Sequence, residues 1–279
     1  MSKGIATLLV LLLIPVILVV LFLLFTKGSP SPLGNKTSLM NSVNKAKNDL
    51  AKVSPMALWD FEYETKTWKS VGSPPTCPDP FTFPAPADLS LASGILYPGQ
   101  IRGGDYKPHG GARFDNLPNN ELNVYSPFDG KLYQAARHLE SGEMQYSLYF
   151  INDCGMMYKL DHLRKLTDKF ERLLEPIPTG AEGDSRTTMI NPAVFISKGE
   201  LVATEVGIIK TKNVFFDFGV YDLRQRNGVD YSGKDYFNIE QYGMHGVCWM
   251  DYLQEPDKSL SYSLPGADGQ SGKKSDYCK

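Results

Sequence analysis

The chain has 279 residues, a formal net charge of −2, and apolar and charged fractions of 42% and 22%. These values are ordinary for a folded protein and exclude a disordered tail protein. So small a net charge gives no broad basic field, and the absence of any helix-turn-helix, RNA-recognition or zinc-finger pattern argues against nucleic acid as a partner. The 25 Gly, 19 Pro and 15 Tyr, with short β-branched and aromatic runs between turn signals, favour a mostly β fold.

Ile5 to Phe25 is an unbroken uncharged run rich in Leu, Val and Ile. About 20 apolar residues at roughly 1.5 Å each span a bilayer core of about 30 Å, so residues 1–27 read as one transmembrane helix. A cleaved signal peptide would have a shorter apolar core and a small-x-small site. Phe25-Thr-Lys27-Gly-Ser29 is a poor one, and an uncleaved signal anchor is expected. The flanking charges, Lys3 against Lys27, Lys36, Lys45 and Lys47, taken alone leave the domain inside, but long C-terminal domains translocate largely regardless of charge.

Residues 28–55 read as a tether, stiffened by Ser29-Pro-Ser-Pro32. Leu39, Val43, Ala46 and Leu50 at helical spacing predict a short amphipathic helix within it. Residues 56–87 read as a Pro-rich strap. Its opening stretch, Trp59 to Trp68, alternates aromatic and polar residues as a strand does, and its prolines then remove backbone donors.

The core domain is expected over residues 88–279. Asn123 to Tyr133 reads as a strand, an Asp129-Gly130 turn and a second strand. Met144 to Ile151 and Met156 to Leu160 read as strands about an Asn152-Asp-Cys154-Gly155 turn. Leu160, Leu163, Leu166, Phe170 and Leu173 have helical spacing up to Pro176. Thr179 to Thr188 reads as a surface loop, and strands are expected over 198–207 and 213–221. Tyr106-Lys-Pro-His109-Gly-Gly-Ala-Arg113-Phe-Asp115 gathers the least replaceable residue types, with Asp161-His162-Leu163 and Phe215 to Asp222 as its partners.

Five short motifs in order carry a family resemblance. They are Pro108-His-Gly-Gly111 with Phe114, Ser126-Pro-Phe-Asp-Gly130, Tyr158-Lys-Leu-Asp-His162-Leu163, Gly199-Glu-Leu-Val-Ala203 with Gly207, and Asp217-Phe-Gly-Val220. Over about half the chain, Asp88 to Arg224, this order resembles the lysostaphin-type zinc metallopeptidases, which are peptidoglycan endopeptidases with a β-sheet core. The resemblance implies that fold with short helices, and an extracytoplasmic domain on a single-pass protein of the cell membrane. It also implies a cell-envelope glycan, peptide or protein as partner.

The family binds zinc through a His, an Asp four residues on, and the second His of a His-x-His; a further His before Leu assists the water. Here His109 matches the first ligand and His162 the assisting, catalytic histidine, whereas Arg113 falls on the Asp and Phe215 and Asp217 fall on the His-x-His. Two readings stay open. Asp115, two residues beyond Arg113 on an extended segment, could join His109 and Asp217 around a metal, Zn²⁺ or Mn²⁺. Alternatively, Arg113 could fork onto Asp217 in a buried ion pair that fills the old cavity, leaving no cofactor and a degenerate site with a binding or structural role. The second is expected, with an active metallohydrolase as the alternative.

His138, in a charged stretch, is expected at the surface, and His245 is expected to be packed. No Gly-x-Ser-x-Gly elbow, P-loop or dinucleotide fingerprint is present. The four cysteines allow three connectivities. Of these, Cys248–Cys278 would staple the C-terminal tail, leaving Cys77–Cys154 to pin the strap.

Overall fold

The computed structural model describes residues 59–236 and 238–279. The expected anchor over residues 1–27 and the tether helix lie outside the described residues. Among the described residues no helix is long and apolar enough to cross a membrane.

The described chain is mostly β-sheet with two short helices. A hairpin of β1 (Trp59–Glu62) and β2 (Thr67–Ser70) comes first. The principal sheet has ten strands: β3 (Gly94–Leu96), β6 (Gly110–Arg113), β7 (Glu121–Tyr125), β8 (Gly130–Glu140), β9 (Glu143–Ile151), β10 (Met156–Leu166), β11 (Thr179–Glu182), β12 (Thr188–Ile196), β13 (Leu201–Val206) and β14 (Phe215–Asp222). Its main path runs β11-β8-β9-β10-β14-β6-β3, with β12 on β8 and β13 bridging β10 and β7. A small ribbon pairs β4 (Gln100–Arg102) with β5 (Asp105–Lys107). The helices are α1 (Asp168–Leu174) and α2 (Asp257–Ser263).

The centre is the meander β8-β9-β10, and local chemistry sets its register. Ser141 and Gly142 alone connect β8 to β9, and both have positive φ, as a two-residue turn matching the strand twist requires. Between β9 and β10 the Asn152 side chain accepts from the Cys154 amide at 2.7 Å, and Gly155 takes φ +96° to complete the reversal.

Side-chain alternation then sorts residues onto two faces. Met156, Tyr158 and Leu160 of β10, with Phe216, Phe218 and Val220 of β14, enter the main core. Met157 and Tyr221 face the other way, into a second cluster closed by Trp59, Phe61 and Trp68 of the hairpin and by Tyr242. On this second face, past the aromatic cluster, lies a polar cleft of about 590 Å³.

Three local expectations are corrected. Asp129-Gly130 is not a hairpin turn: β7 pairs with β13 and β8 with β9, while the Asp129 carboxylate accepts from the Lys198 amide. The turn signal is real but the two strands it separates have different partners. Helical spacing from Leu160 misleads as well, because β10 continues to Leu166 and α1 begins only at Asp168. Register shifts between Leu160 and Leu163, and again before Leu166, stretch the strand's apolar spacing from two to three. The stretch expected as a loop from Thr179 contributes β11, parallel to β8.

From Val71 to Ala87 the chain has no regular element apart from one bridge between Phe83 and Leu253, and Phe83 is fully buried. Disulfides join Cys77 to Cys154 and Cys248 to Cys278. The second secures a C-terminal segment whose Tyr277 hydroxyl donates to the Gly243 carbonyl at 2.8 Å. The sequence separations are 77 and 30. A Cys77→Ala/Cys154→Ala variant should therefore lose roughly 2–4 kcal/mol in urea unfolding, and more than the Cys248→Ala/Cys278→Ala variant, if loop entropy dominates. Equal or inverted losses would mean that burial of Phe83 holds the Val71–Ala87 segment by itself.

Candidate functional site

The cleft floor is built where β6, β10 and β14 meet. On β10, alternation places Lys159 and Asp161 on the cleft face. Simple alternation would turn His162 away, into the main core. Instead β10 carries one extra residue against β9 between Leu160 and Leu163, and His162 takes φ +58°. The bulge brings His162 to the cleft beside Asp161 and lets Leu163 resume the core position. Left-handed backbone at a non-glycine residue is strained and recurs at functional sites. The Asp161 carboxylate helps hold it, accepting from the His162 amide at 2.8 Å.

Asp217 on β14 lies directly across from Asp161 on one side and Gly111 on the other. His109, just before β6, reaches Asp217 with Nε2 2.9 Å from Oδ2. The glycine pair that follows makes this approach possible. A Cβ at Gly110 would sit 2.2 Å from the Leu96 carbonyl oxygen, and one at Gly111, where φ is +154°, 2.3 Å from the Phe216 carbonyl oxygen. Arg102 on β4 donates to the carbonyl of His109 at 3.0 Å and fixes the backbone from behind.

The floor carries alternating acids and bases. His162 Nε2 is 3.8 Å from Asp217 Oδ2, and its Nδ1 is 3.4 Å from Glu140 Oε2, which in turn lies 3.8 Å from His138 Nε2. Phe215 packs its ring on His162, centroids 4.4 Å apart. Lys159 Nζ is 2.6 Å from Asp161 Oδ2, and Ser147 donates to the other Asp161 oxygen.

These contacts decide the charges. Burial, then the Lys159 ammonium, push His109 down to about 4, so it is neutral at pH 7 and its Nε2–H donates to Asp217. Burial works against charge on Asp217, but His109, His162 and Arg102 outweigh it and hold the carboxyl well below the usual range. Burial likewise opposes both Lys159 and Asp161; each other's charge prevails, raising the lysine and lowering the acid. Glu140 is lowered by His138 and, less strongly, by His162.

Of the residues expected at the site from sequence, His109, His162 and Asp217 come together and Arg113 and Asp115 do not. Arg113 is turned away and forks onto Asp115, with Nε 3.0 Å from Oδ2, at the surface. Asp115 also accepts from Ser93 at 2.9 Å. Two residues apart on an extended segment, they share a face as the spacing implies, and they satisfy each other there. The expected Arg113–Asp217 ion pair is therefore absent, and so is the expected grouping of Asp115 with His109 and Asp217. His138, expected at the surface, is buried and lines the cleft. His245 is packed, with Nδ1 2.7 Å from the Gln225 carbonyl oxygen.

Lys159, Glu140 and Gln241 are cleft residues that sequence reasoning missed. A signal existed for the first: Lys159 and Asp161 stand two apart in a strand, and a lysine in a run that is otherwise apolar requires a partner. For Glu140 and Gln241 only the folded arrangement provides one.

The resemblance implies zinc, but the residues do not fit it. Among the described residues, the group whose ligand atoms come within 4.8 Å of one another is Asp161, His162 and Asp217. Asp161 is already ion-paired to a buried lysine, and Asp217 already accepts from His109. A divalent ion would have to enter beside a fixed ammonium, which disfavours it.

No protein-family model matches the chain, and no curated protein matches it. Among solved structures it is similar to Helicobacter pylori Csd3 in the orthorhombic crystal, at 12% identity and a TM-score of 0.35. The match covers 66% of this chain and 40% of that one, so the chain spans well under half the length of that protein. A likeness of this size carries no weight for the site.

Gly111→Ala should destabilise the domain by roughly 1–3 kcal/mol in urea unfolding, since the new methyl meets backbone rather than a flexible side chain. A change within about 0.5 kcal/mol would show that β6 can move off β14 freely. Acid should also weaken the fold. Folded His109 stays neutral down to about pH 4, whereas its unfolded value is 6.5, so the unfolded chain binds more protons in that window. Stability then falls as pH drops from about 6.5 to 4, by at most roughly 3 kcal/mol from this residue. His109→Gln should flatten that slope; an unchanged slope would assign it to other groups.

Proposed function

We propose that this chain is a membrane-anchored, extracytoplasmic cell-envelope protein whose cleft binds a polar envelope ligand, a glycan or a peptide, without cleaving it. The observation that carries this reading is the internal pairing of the cleft floor: Asp161 with Lys159, and Asp217 with His109. A carboxylate ion-paired to a buried ammonium and another already accepting a hydrogen bond from its own chain are poor metal ligands, yet they leave a polar surface for hydrogen bonding. Buried polar atoms without a partner among the described residues gather here, among them Asp217 Oδ1, His109 Nδ1 and Gln241 Nε2. They offer both acceptors and a donor to a ligand rich in hydroxyl or amide groups. Tyr63, 72% exposed at the hairpin tip, and Met189 provide apolar surface at the rim against which a sugar ring or a peptide side chain can lie.

The extracytoplasmic placement draws on the apolar run from Ile5 to Phe25 and on the two disulfides, which persist in oxidising compartments. A second reading, an active metallohydrolase, draws on the approach of Asp161, His162 and Asp217 within 4.8 Å.

Co-sedimentation with purified peptidoglycan, followed by chromatography of the soluble fraction, separates the two. Binding without released fragments, with or without added Zn²⁺ or Mn²⁺, is expected. Tyr63→Ala and Gln241→Ala should each weaken it about 5–50-fold, the loss of one stacking contact or one hydrogen bond to ligand. Fragments that appear only with metal would favour the hydrolase, and the absence of binding would exclude this ligand.

A further inference from the structure

Asp161 and Asp217 are cross-strand partners on the inner strands β10 and β14, both nine-tenths buried. Like charges directly opposite each other in a sheet are destabilising, and burial multiplies the effect. Both can stay ionised only if a cation stands with them. Arg113 is spent on Asp115 at the surface. Arg102 is committed to the carbonyls of Tyr97 and His109. The His109 imidazole is engaged with Asp217, Nε2 2.9 Å from Oδ2. His162 lies 3.8 Å from Asp217 Oδ2 and is itself one of the three grouped ligand residues. Lys159 is the cation in close ion-pair contact: only 7% exposed, 2.6 Å from Asp161 and 5.5 Å above the Tyr149 ring, it sits between a carboxylate and an aromatic face that both favour positive charge. The Asp217 Oδ1 atom, buried and without a hydrogen-bond partner among the described residues, leaves one carboxylate oxygen of the group unused by the protein.

We propose that the Lys159 ammonium is the resident cation of this site, holding the facing carboxylates together where a divalent ion otherwise would, and that it bars such an ion from the Asp161–His162–Asp217 group. This does not depend on what the cleft binds. Lys159→Met keeps the aliphatic stem and removes the charge. It leaves two carboxylates and an imidazole, a donor set suited to Zn²⁺ or Mn²⁺. Lys159→Arg keeps the charge and should keep metal out.

The test is calorimetric titration of the full chain, stripped with chelator, with Zn²⁺ and separately Mn²⁺, alongside thermal unfolding with and without each metal. Wild type and Lys159→Arg should take up no stoichiometric ion at micromolar concentrations and show no metal-dependent rise in Tm. Lys159→Met should bind one equivalent at least about tenfold more tightly, with a rise in Tm, and Lys159→Met/Asp217→Asn should lose that gain. Stoichiometric uptake by wild type, or a folded Lys159→Met that gains no affinity, overturns the proposal. Should Lys159→Met fold only when metal is supplied, the proposal is supported. Should it not fold at all, wild type decides: uptake of one equivalent overturns the proposal, and none up to millimolar metal supports it.

Discussion

Two like charges face each other across adjacent strands inside this protein, and the rest of the cleft is arranged to tolerate them. Asp161 and Asp217 stand opposite each other where neither can be well hydrated. An isolated ionised carboxylate in such a place is so costly that it would take up a proton instead. What keeps both charged is a set of short contacts from different parts of the chain. Lys159 and Ser147 reach Asp161 from β10 and β9, and His109 reaches Asp217 from the turn before β6. Removing any one partner leaves a buried charge exposed to its neighbour, so the network couples three strands more tightly than their backbone ladders alone. The paired groups fix the cleft floor, while Asp217 Oδ1 and His109 Nδ1 have no hydrogen-bond partner among the described residues.

The strand geometry that creates this network is irregular in two places, and both irregularities increase the number of side chains facing the cleft. The bulge at Asp161–His162 presents two consecutive residues to the same side. A second register shift, between Leu132 and Gln134 on β8, puts Tyr133 in the aromatic cluster and Gln134 at the cleft wall, where Tyr242 donates to it at 2.7 Å. A perfectly alternating sheet would have buried one residue of each pair in the apolar core. The strain at His162 is therefore tied to the chemistry of the site: relaxing the bulge would move the imidazole from Asp217 and Glu140 into a layer of Leu, Phe and Val.

Much of this was legible in the sequence. Turn residues and alternation marked most strands, and the order of short motifs pointed to the three segments that supply His109, His162 and Asp217. The glycine pair after His109 was legible as a motif, although its reason lies in atoms far away along the chain, the carbonyls of Leu96 and Phe216. What was not legible follows from the same physics that built the site. Bulges change an apolar spacing of two into three, so Leu160, Leu163 and Leu166 read as one face of a helix while sitting on a strand. His138, in a charged stretch, was read as a surface residue; it is buried where β11 pairs alongside it on β8, which no local pattern announces.

Arg113 illustrates a more general point about which cation serves buried carboxylates. The expectation that Arg113 would serve the buried carboxylates was argued from a position in a motif, and motif position does not say which cation the fold turns inward. A guanidinium at the rim of a sheet has a carboxylate two residues away on the same face, and partial exposure makes that pairing inexpensive. Reaching inward would require desolvating it fully. Lysine at 159 begins on the inward face, so its desolvation is imposed by the fold whatever it contacts, and the nearest anion, Asp161 on the same strand, is the partner that offsets it. Compensation thus falls to the residue with no alternative, and in a strand the inward face is fixed by alternation from its neighbours Met157 and Asp161.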